Sequence, residues 1–232
     1  MNDTAQHVTK VFDEELDRLR THVLEMGGMV ESQILAATSA YHTGEIKSVV
    51  EIVATDREVN EYELMIDDEC THVIAKRQPA ASDLRLVMGI VKIVTDLERI
   101  GDEAKKIAKG ARRIHERGQS VPPREAADVR HAANAAVSML RQALDAFARL
   151  DTASALAVIR ADDDVDMEFK GIIRQLVTFM MEDPRTISAA MDIIWIARAV
   201  ERIGDHAKNI AEQVIYIAEG RDVRHPPKEG RV

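Results

Sequence analysis

The chain has 232 residues, 46% of them hydrophobic and only 3% aromatic, with 11 glycines and 6 prolines. A mix rich in Ala, Leu, Ile, Val and Met favours helix packed on helix over any sheet, so the expected class is all-α. A formal charge of -9 argues against nucleic acid or an anionic membrane surface as the main partner, because both demand a concentrated positive field, and it suits the binding of cations.

Six helices are predicted from apolar residues recurring every three to four positions and from the breaks between those runs. The first spans about 8–41, with Leu16, Leu19, Val23, Met26, Val30, Ile34 and Ala37 on one stripe, and stops near Thr43-Gly44. Within it, Gly27-Gly28 reads as a kink or a close helix crossing. The second spans about 46–76 and ends before Pro79; the third starts after Ser82, read as its N-cap, and runs to about His115, ahead of a linker at 118–123. The fourth, fifth and sixth cover about 124–150, 152–181 and 186–219, and the tail after Gly220, with Pro226-Pro227, is expected to fray. Short connections make successive helices antiparallel, giving an up-down-up bundle over 1–118, a second over 124–220 and a flexible tail over 221–232.

The single cysteine, Cys70, excludes an intrachain disulfide and reads as a buried small apolar residue. No basic segment followed by an apolar run opens the chain, so no signal peptide is expected. The longest apolar stretch, 187–200, is interrupted by Ser188, Asp192 and Arg198 and is shorter than the roughly eighteen residues that a membrane helix requires. The expected location is the cytoplasm.

The second half repeats the first. Residues 97–108 return as 200–211 with nine of twelve positions identical, both copies reading Glu-Arg-Ile-Gly-Asp at the centre. In the first two helices of each half the offset is 106, which pairs Asp56 with Asp162, Tyr41 with Phe147 and Ile34 with Leu140; the change to 103 places a three-residue difference in the connection before each third helix.

Glu98 and Asp102 are four residues apart and project from one helix face among Val94, Leu97 and Ile100; Glu201 and Asp205 do the same in the sixth helix. Carboxylates bordering a core are costly without a cation, and Gly101 and Gly204 leave room for a cation or another helix. Asp162 and Asp166 on the fifth helix, and Asp56 and Asn60 on the second, offer matching oxygens, so each half can present four oxygen ligands on two facing helices. Spacing alone would favour ordinary surface ion pairs for Glu98-Arg99 and Glu201-Arg202; duplication of the whole set reverses that preference. Glu69-x-x-His72 is the single Glu-x-x-His match, and there is no phosphate-binding glycine loop or paired nucleophile and base. Asp163 and Asp164 read as solvated surface, and Trp195 as core.

At these residues the chain resembles the PhoU family of phosphate-responsive regulators. The likeness runs through Met26-Gly27-Gly28-Met29-Val30, Ala75-Lys76-Arg77-Gln78-Pro79, 81–88, both Glu-Arg-Ile-Gly-Asp copies, Arg174-Gln175-Leu176 and Met180-Met181-Glu182-Asp183. It implies two three-helix bundles related by a pseudo-twofold axis. It also implies iron, zinc, manganese or magnesium ions held by Asp56, Glu98 and Asp102 in the first bundle and by Asp162, Asp166, Glu201 and Asp205 in the second. Asn60 departs from the aspartate of the family pattern, which weakens the first site because a neutral amide is a poorer ligand. The resemblance further implies a homodimeric, non-enzymatic adaptor. It would contact a phosphate transporter's ATPase subunit and a sensor histidine kinase, without entering the membrane or binding nucleic acid, and damp phosphate uptake and the starvation response. Arg77, Gln78, Asp83 and Arg85 are the residues expected to meet partners. The competing readings are a carboxylate-bridged metalloenzyme built on the same residues and a purely structural pair of bundles.

Overall fold

A computed structural model describes residues 2–118 and 123–224. They form six helices: α1 (Asn2–Thr43), α2 (Ile46–Arg77), α3 (Ala81–Glu116), α4 (Pro123–Arg149), α5 (Thr152–Glu182) and α6 (Ile187–Glu219), with one 3-10 turn, Pro184–Thr186, leading into α6. Strands are absent among the described residues. The expected linker lies mostly at 119–122, and most of the expected tail at 225–232, outside the described residues; 221–224 are non-helical.

Each half is the predicted up-down-up bundle. Glu15 meets Arg77 and His22 meets Glu69, so α1 and α2 run antiparallel; Asp56 meets Lys105, so α2 and α3 do too. The apolar stripe on α1 is buried throughout its length, and Tyr41 and Phe147 fill equivalent places in the two halves as the bulkiest fully buried side chains. The halves also close their first turns at equivalent positions by different chemistry. Gly44 takes a left-handed φ of 77° after α1, and its counterpart Leu150 takes 51° after α4. A leucine there is strained. The following Asp151 offsets this by accepting from the N–H groups of Ala153 and Ser154 at 3.0 and 3.2 Å, which caps α5. The Ser154 hydroxyl, which donates to the same carboxylate at 2.6 Å, and after it these N–H bonds hold the carboxyl below the usual carboxylate range.

The halves are joined along their lengths. The broadest helix pair in the molecule is α3 on α6, and α1 also crosses α4. A Cβ at Gly27 would stand 2.5 Å from Leu144 Cδ1, so the α1 glycine serves a close helix crossing. On α3, Gly89 and Gly110 admit Ile217 and Ile196 of α6, which would stand 2.5 and 2.8 Å from an added Cβ. Residue numbers rise along α3 as they fall along α6, so the pair is antiparallel about the pseudo-twofold axis.

Two sequence expectations are corrected. Ser82 does not cap α3: the helix begins at Ala81, with Ala80 in the N-cap position and no side-chain cap bond. The chain leaves Pro79 extended, and the Ala80 carbonyl already accepts the N–H of Asp83 at 3.2 Å. Trp195 is not core: it is 61% exposed. It shares a face of α6 with Met191, Arg198 and Arg202, at helical spacings of three, four and seven, whereas the buried face carries Ile193, Ile196, Ala197 and Val200.

Candidate functional site

The motif helices α3 and α6 are central in their bundles, and the acidic motif of each faces the second helix of its own half. Asp56 and Asp162 are buried on α2 and α5, Glu201 is buried, and Glu98, Asp102, Asp166 and Asp205 are half-buried; Asn60 is exposed and Asp163 and Asp164 are solvated. Helical spacing delivers this arrangement, since positions four apart stand one turn above another. The glycines inside the motifs are filled by helix neighbours. An added Cβ would stand 3.1 Å from Gln33 Oε1 of α1 at Gly101, and 3.3 Å from Val165 Cγ1 of α5 at Gly204.

Sequence reasoning missed the cation that each site carries. Lys105 Nζ lies 2.7 Å from Asp56 Oδ2 and 2.6 Å from Asp102 Oδ1. Lys208, its counterpart at the 103 offset, lies 2.6 Å from Asp162 Oδ2. The signal was available: a lysine follows the motif aspartate by three residues in both copies, one helical turn on, among the identical positions of the repeat. Burial alone would lower the Lys105 ammonium, but its bonds to Asp102 and Asp56 hold it above its ordinary range. The bond to Asp162 raises Lys208 likewise, against the effect of burial.

The two sites are therefore unequal. In the first, one ammonium bridges two carboxylates. In the second, Lys208 bonds Asp162 alone, Asp205 has no hydrogen-bond or ion-pair partner among the described residues, and one oxygen of Glu201, Oε2, is buried without a partner. The other Glu201 oxygen accepts from Arg198 at 2.5 Å, and Asp166 has a long contact of 3.5 Å to Lys170. Burial, then the neighbouring Asp205, pushes the Glu201 carboxyl up; burial, then Asp162 and Asp166, does the same to Asp205. Glu98 is raised by burial and by Asp102. Raised acids in a cluster mark unrelieved negative charge. Among the described residues, no three His, Cys, Asp or Glu side chains converge to metal-holding geometry as they stand. The all-oxygen donor set, the orphaned Glu201 oxygen and the unpaired Asp205 nevertheless fit a hard cation in the second site if Lys208 withdraws. In the first site Lys105 occupies the space between Asp56 and Asp102 and offsets part of their charge, while Glu98 stays raised.

The remaining expected positions have structural work. Arg77 grips Glu15 through two bonds of 2.8 and 2.9 Å, tying the end of α2 to α1. Gln78 is the left-handed C-cap of α2, donating its backbone N–H to Ile74. Asp83 sits in the first turn of α3, and the Arg85 guanidinium lies against Gly220. Glu69, of the lone Glu-x-x-His match, pairs with His22 at 3.0 Å and Arg18 at 3.8 Å. Cys70 is buried, and burial pushes its thiol up to about 12, the property of an inert core cysteine.

A family model described as "PhoU domain" matches residues 23–111 and 129–214, one match in each bundle. A Pseudomonas aeruginosa protein named "Phosphate-specific transport system accessory protein PhoU homolog" is 49% identical, covering 95% of this chain and 90% of its own length. The Escherichia coli K12 "Phosphate-specific transport system accessory protein PhoU" is 43% identical, with the same shares covered. The crystal structure of PhoU from P. aeruginosa superposes with a TM-score of 0.87 at 49% identity over 90% of this chain and 100% of that one. That of the phosphate transport system regulatory protein PhoU from Streptococcus pneumoniae gives 0.84 at 26% identity, over 91% and 99%. Among the described residues, no helix is long and apolar enough to cross a membrane.

Proposed function

This chain belongs to the PhoU family, and from that premise we propose that it is an accessory regulator of phosphate transport, a cytoplasmic adaptor that restrains phosphate uptake and the starvation response when phosphate is plentiful. Its partners in this reading are the ATPase subunit of a high-affinity phosphate transporter and a sensor histidine kinase, and it works as a homodimer without catalytic turnover. The observation that carries the reading is the doubled acidic motif, set on the central helix of each bundle in a chain that matches phosphate-transport accessory proteins over 95% of its length. The family supplies the role; the acidic faces supply a means of responding to it.

Metal binding is part of the proposal. Asp162, Asp166, Glu201 and Asp205 would hold an iron, zinc, manganese or magnesium ion in the second bundle, and Asp56, Glu98 and Asp102, with the weaker Asn60, would hold one less tightly in the first. A bound ion would supply positive charge able to attract an anion such as phosphate. The chain's own contribution is to hold the carboxylates on rigid helices, with Lys105 and Lys208 offsetting part of their charge when no ion is present.

The regulatory reading is tested by deleting the gene in its host and following a phosphate-starvation reporter in high phosphate. Constitutive expression is expected; normal repression would defeat the reading. The metal assignment is tested separately by purifying the protein without chelator and measuring bound metal. The pair Glu201→Ala and Asp205→Ala should lose most of it, and unchanged content would sink the ligand set. Light scattering on the purified chain checks the homodimer.

A further inference from the structure

We propose that the groove between α3 and α6 beside Trp195 is a docking site for an acidic, amphipathic segment of a partner protein, a proposal that rests on the adaptor reading and gives it a contact surface. Lys106, Lys109 and Arg113 from α3 face Trp195, Arg198 and Arg202 from α6 around a cavity of about 340 Å³, with the carboxylate of Glu103 at its floor. In a chain of net charge -9 this is a local reversal of sign.

The cations there outnumber the acids that serve them. Glu103 is shared by Lys106 at 2.9 Å and Arg202 at 3.0 Å. Asp192 is shared by Arg113 at 2.9 Å and Arg117 at 2.8 Å. Arg198 is matched by Glu201 and lies over the Phe169 ring. Lys109 is exposed and has no ion-pair partner among the described residues. Setting the Arg198–Glu201 pair aside, five cations meet two carboxylates, so the groove carries unspent positive charge with which an acidic ligand can pair.

The apolar half of the surface lies on the same helix. Ile187, Met191 and Trp195 are 45%, 41% and 61% exposed at intervals of four residues, so they form one stripe along α6 that runs into Arg198 and Arg202. An exposed tryptophan flanked by arginines is the composition of an interface hot spot. From Ile187 to Trp195 the stripe extends about 12 Å along the helix, at about 1.5 Å per residue. A small anion confined to the cavity would leave most of it uncovered, whereas a polypeptide with acidic and apolar residues on one face would cover both.

The pseudo-symmetric groove on the opposite edge of the α3–α6 pair lacks this combination. There Lys92 stands where Trp195 stands, its ammonium 5.4 Å from the centre of the Tyr216 ring. Asp96 replaces Ala199 and accepts from His206 or pairs with it at 2.8 Å. The two grooves of the repeat therefore differ, and the exposed indole stands in one of them.

Trp195 is the one tryptophan of the chain, so its emission reports occupancy directly. The full-length protein is titrated with three fluorescein-labelled synthetic peptides of equal length: a Glu/Leu amphipathic peptide, a Lys/Leu peptide of the same pattern and a Glu/Ser peptide. ATP serves as a small-anion probe. The expected result is a saturable blue shift of Trp195 and a rise in anisotropy with the Glu/Leu peptide alone, weakening as salt rises. Lys109→Glu and Trp195→Ala should each weaken peptide binding at least tenfold with unchanged melting curves. The proposal is overturned if the Glu/Leu peptide does not bind, if the Lys/Leu peptide binds as well, or if both variants bind like the parent. A Trp195 response to ATP but not to peptide, or to protein concentration alone, overturns it in favour of a small-anion site or a dimer face. Failure here leaves the reporter assay in the deletion strain untouched, and failure there leaves peptide binding still measurable, so the two readings fall separately.

Discussion

Lys105 and Lys208 occupy the same place in the repeat, yet one bridges two acids of its site and the other reaches a single one. Lys105 bridges Asp56 and Asp102 at 2.7 and 2.6 Å, while Lys208 reaches Asp162 and leaves Asp205 without a hydrogen-bond or ion-pair partner among the described residues. The sequence difference that separates them on paper, Asn60 against Asp166, lies at the exposed end of the site, whereas the operative difference is where one ammonium points. Identical residues in duplicated bundles do not guarantee identical electrostatics, because a buried carboxylate is defined by the cation that reaches it.

The largest expected effect tests whether the two halves share one core logic. Phe147→Ala and Tyr41→Ala should each cost about 3–5 kcal/mol in urea unfolding, the usual range for emptying a buried aromatic; a cost near zero for either would show that its half does not lean on that side chain. Next come the lysines. In chelator, Lys105→Met should lower stability by about 1–3 kcal/mol, because it strands two acids, and Lys208→Met should cost less. The reverse order would break the comparison.

Third is pH. Glu201 and Asp205 bind their protons more tightly in the folded chain than in the unfolded one. Their ionised forms are therefore penalised in the fold at pH values above the folded pKa, and the penalty fades as pH falls through that value toward the ordinary carboxylate range. The double variant Glu201→Gln and Asp205→Asn should melt a few degrees higher than the parent in metal-free buffer at pH 7.5, at about 2–4 °C per kcal/mol for a chain of this size. That gain should shrink toward pH 4; a gain independent of pH would point to packing instead of charge. The smallest effect is expected from Asn60→Asp, which supplies the missing carboxylate and should raise metal retention in the first bundle modestly, measured in an Asp162→Asn background that suppresses the second. No change would mean that Lys105, and not Asn60, limits that site.

Much of this was legible in the sequence, because helices in a small-residue, aromatic-poor chain announce themselves through period and punctuation. The six spans, the repeat and its register follow from that pattern, as does the pairing of Tyr41 with Phe147 in equivalent core positions. What periodicity could not supply was how one bundle meets the other: Gly89 and Gly110 look like weak points of α3 until Ile217 and Ile196 are seen seated on them. Trp195 was misread because aromatic character was weighed before register; counting from Met191 to Arg198 and Arg202 places it on the polar face. Ser82 has the chemistry of a cap, but the helix starts at Ala81, two residues before the start that a Ser82 cap would set. The acids were found because their spacing is conspicuous, and the lysines were overlooked because a lysine beside an acid on a helix is ordinarily surface decoration.

The seating of isoleucines on glycines also bears on symmetry. Two separate copies of one repeat meeting about a twofold axis must present the same face to each other, so every notch and every knob occurs twice. Here both notches, Gly89 and Gly110, belong to α3 and both knobs belong to α6; at the 103 offset, the α6 counterparts of the notches are Asp192 and Gln213. Covalent fusion has released the two faces from copying one another. The pair has gained polarity, and a molecule approaching its two edges meets different chemistry on each.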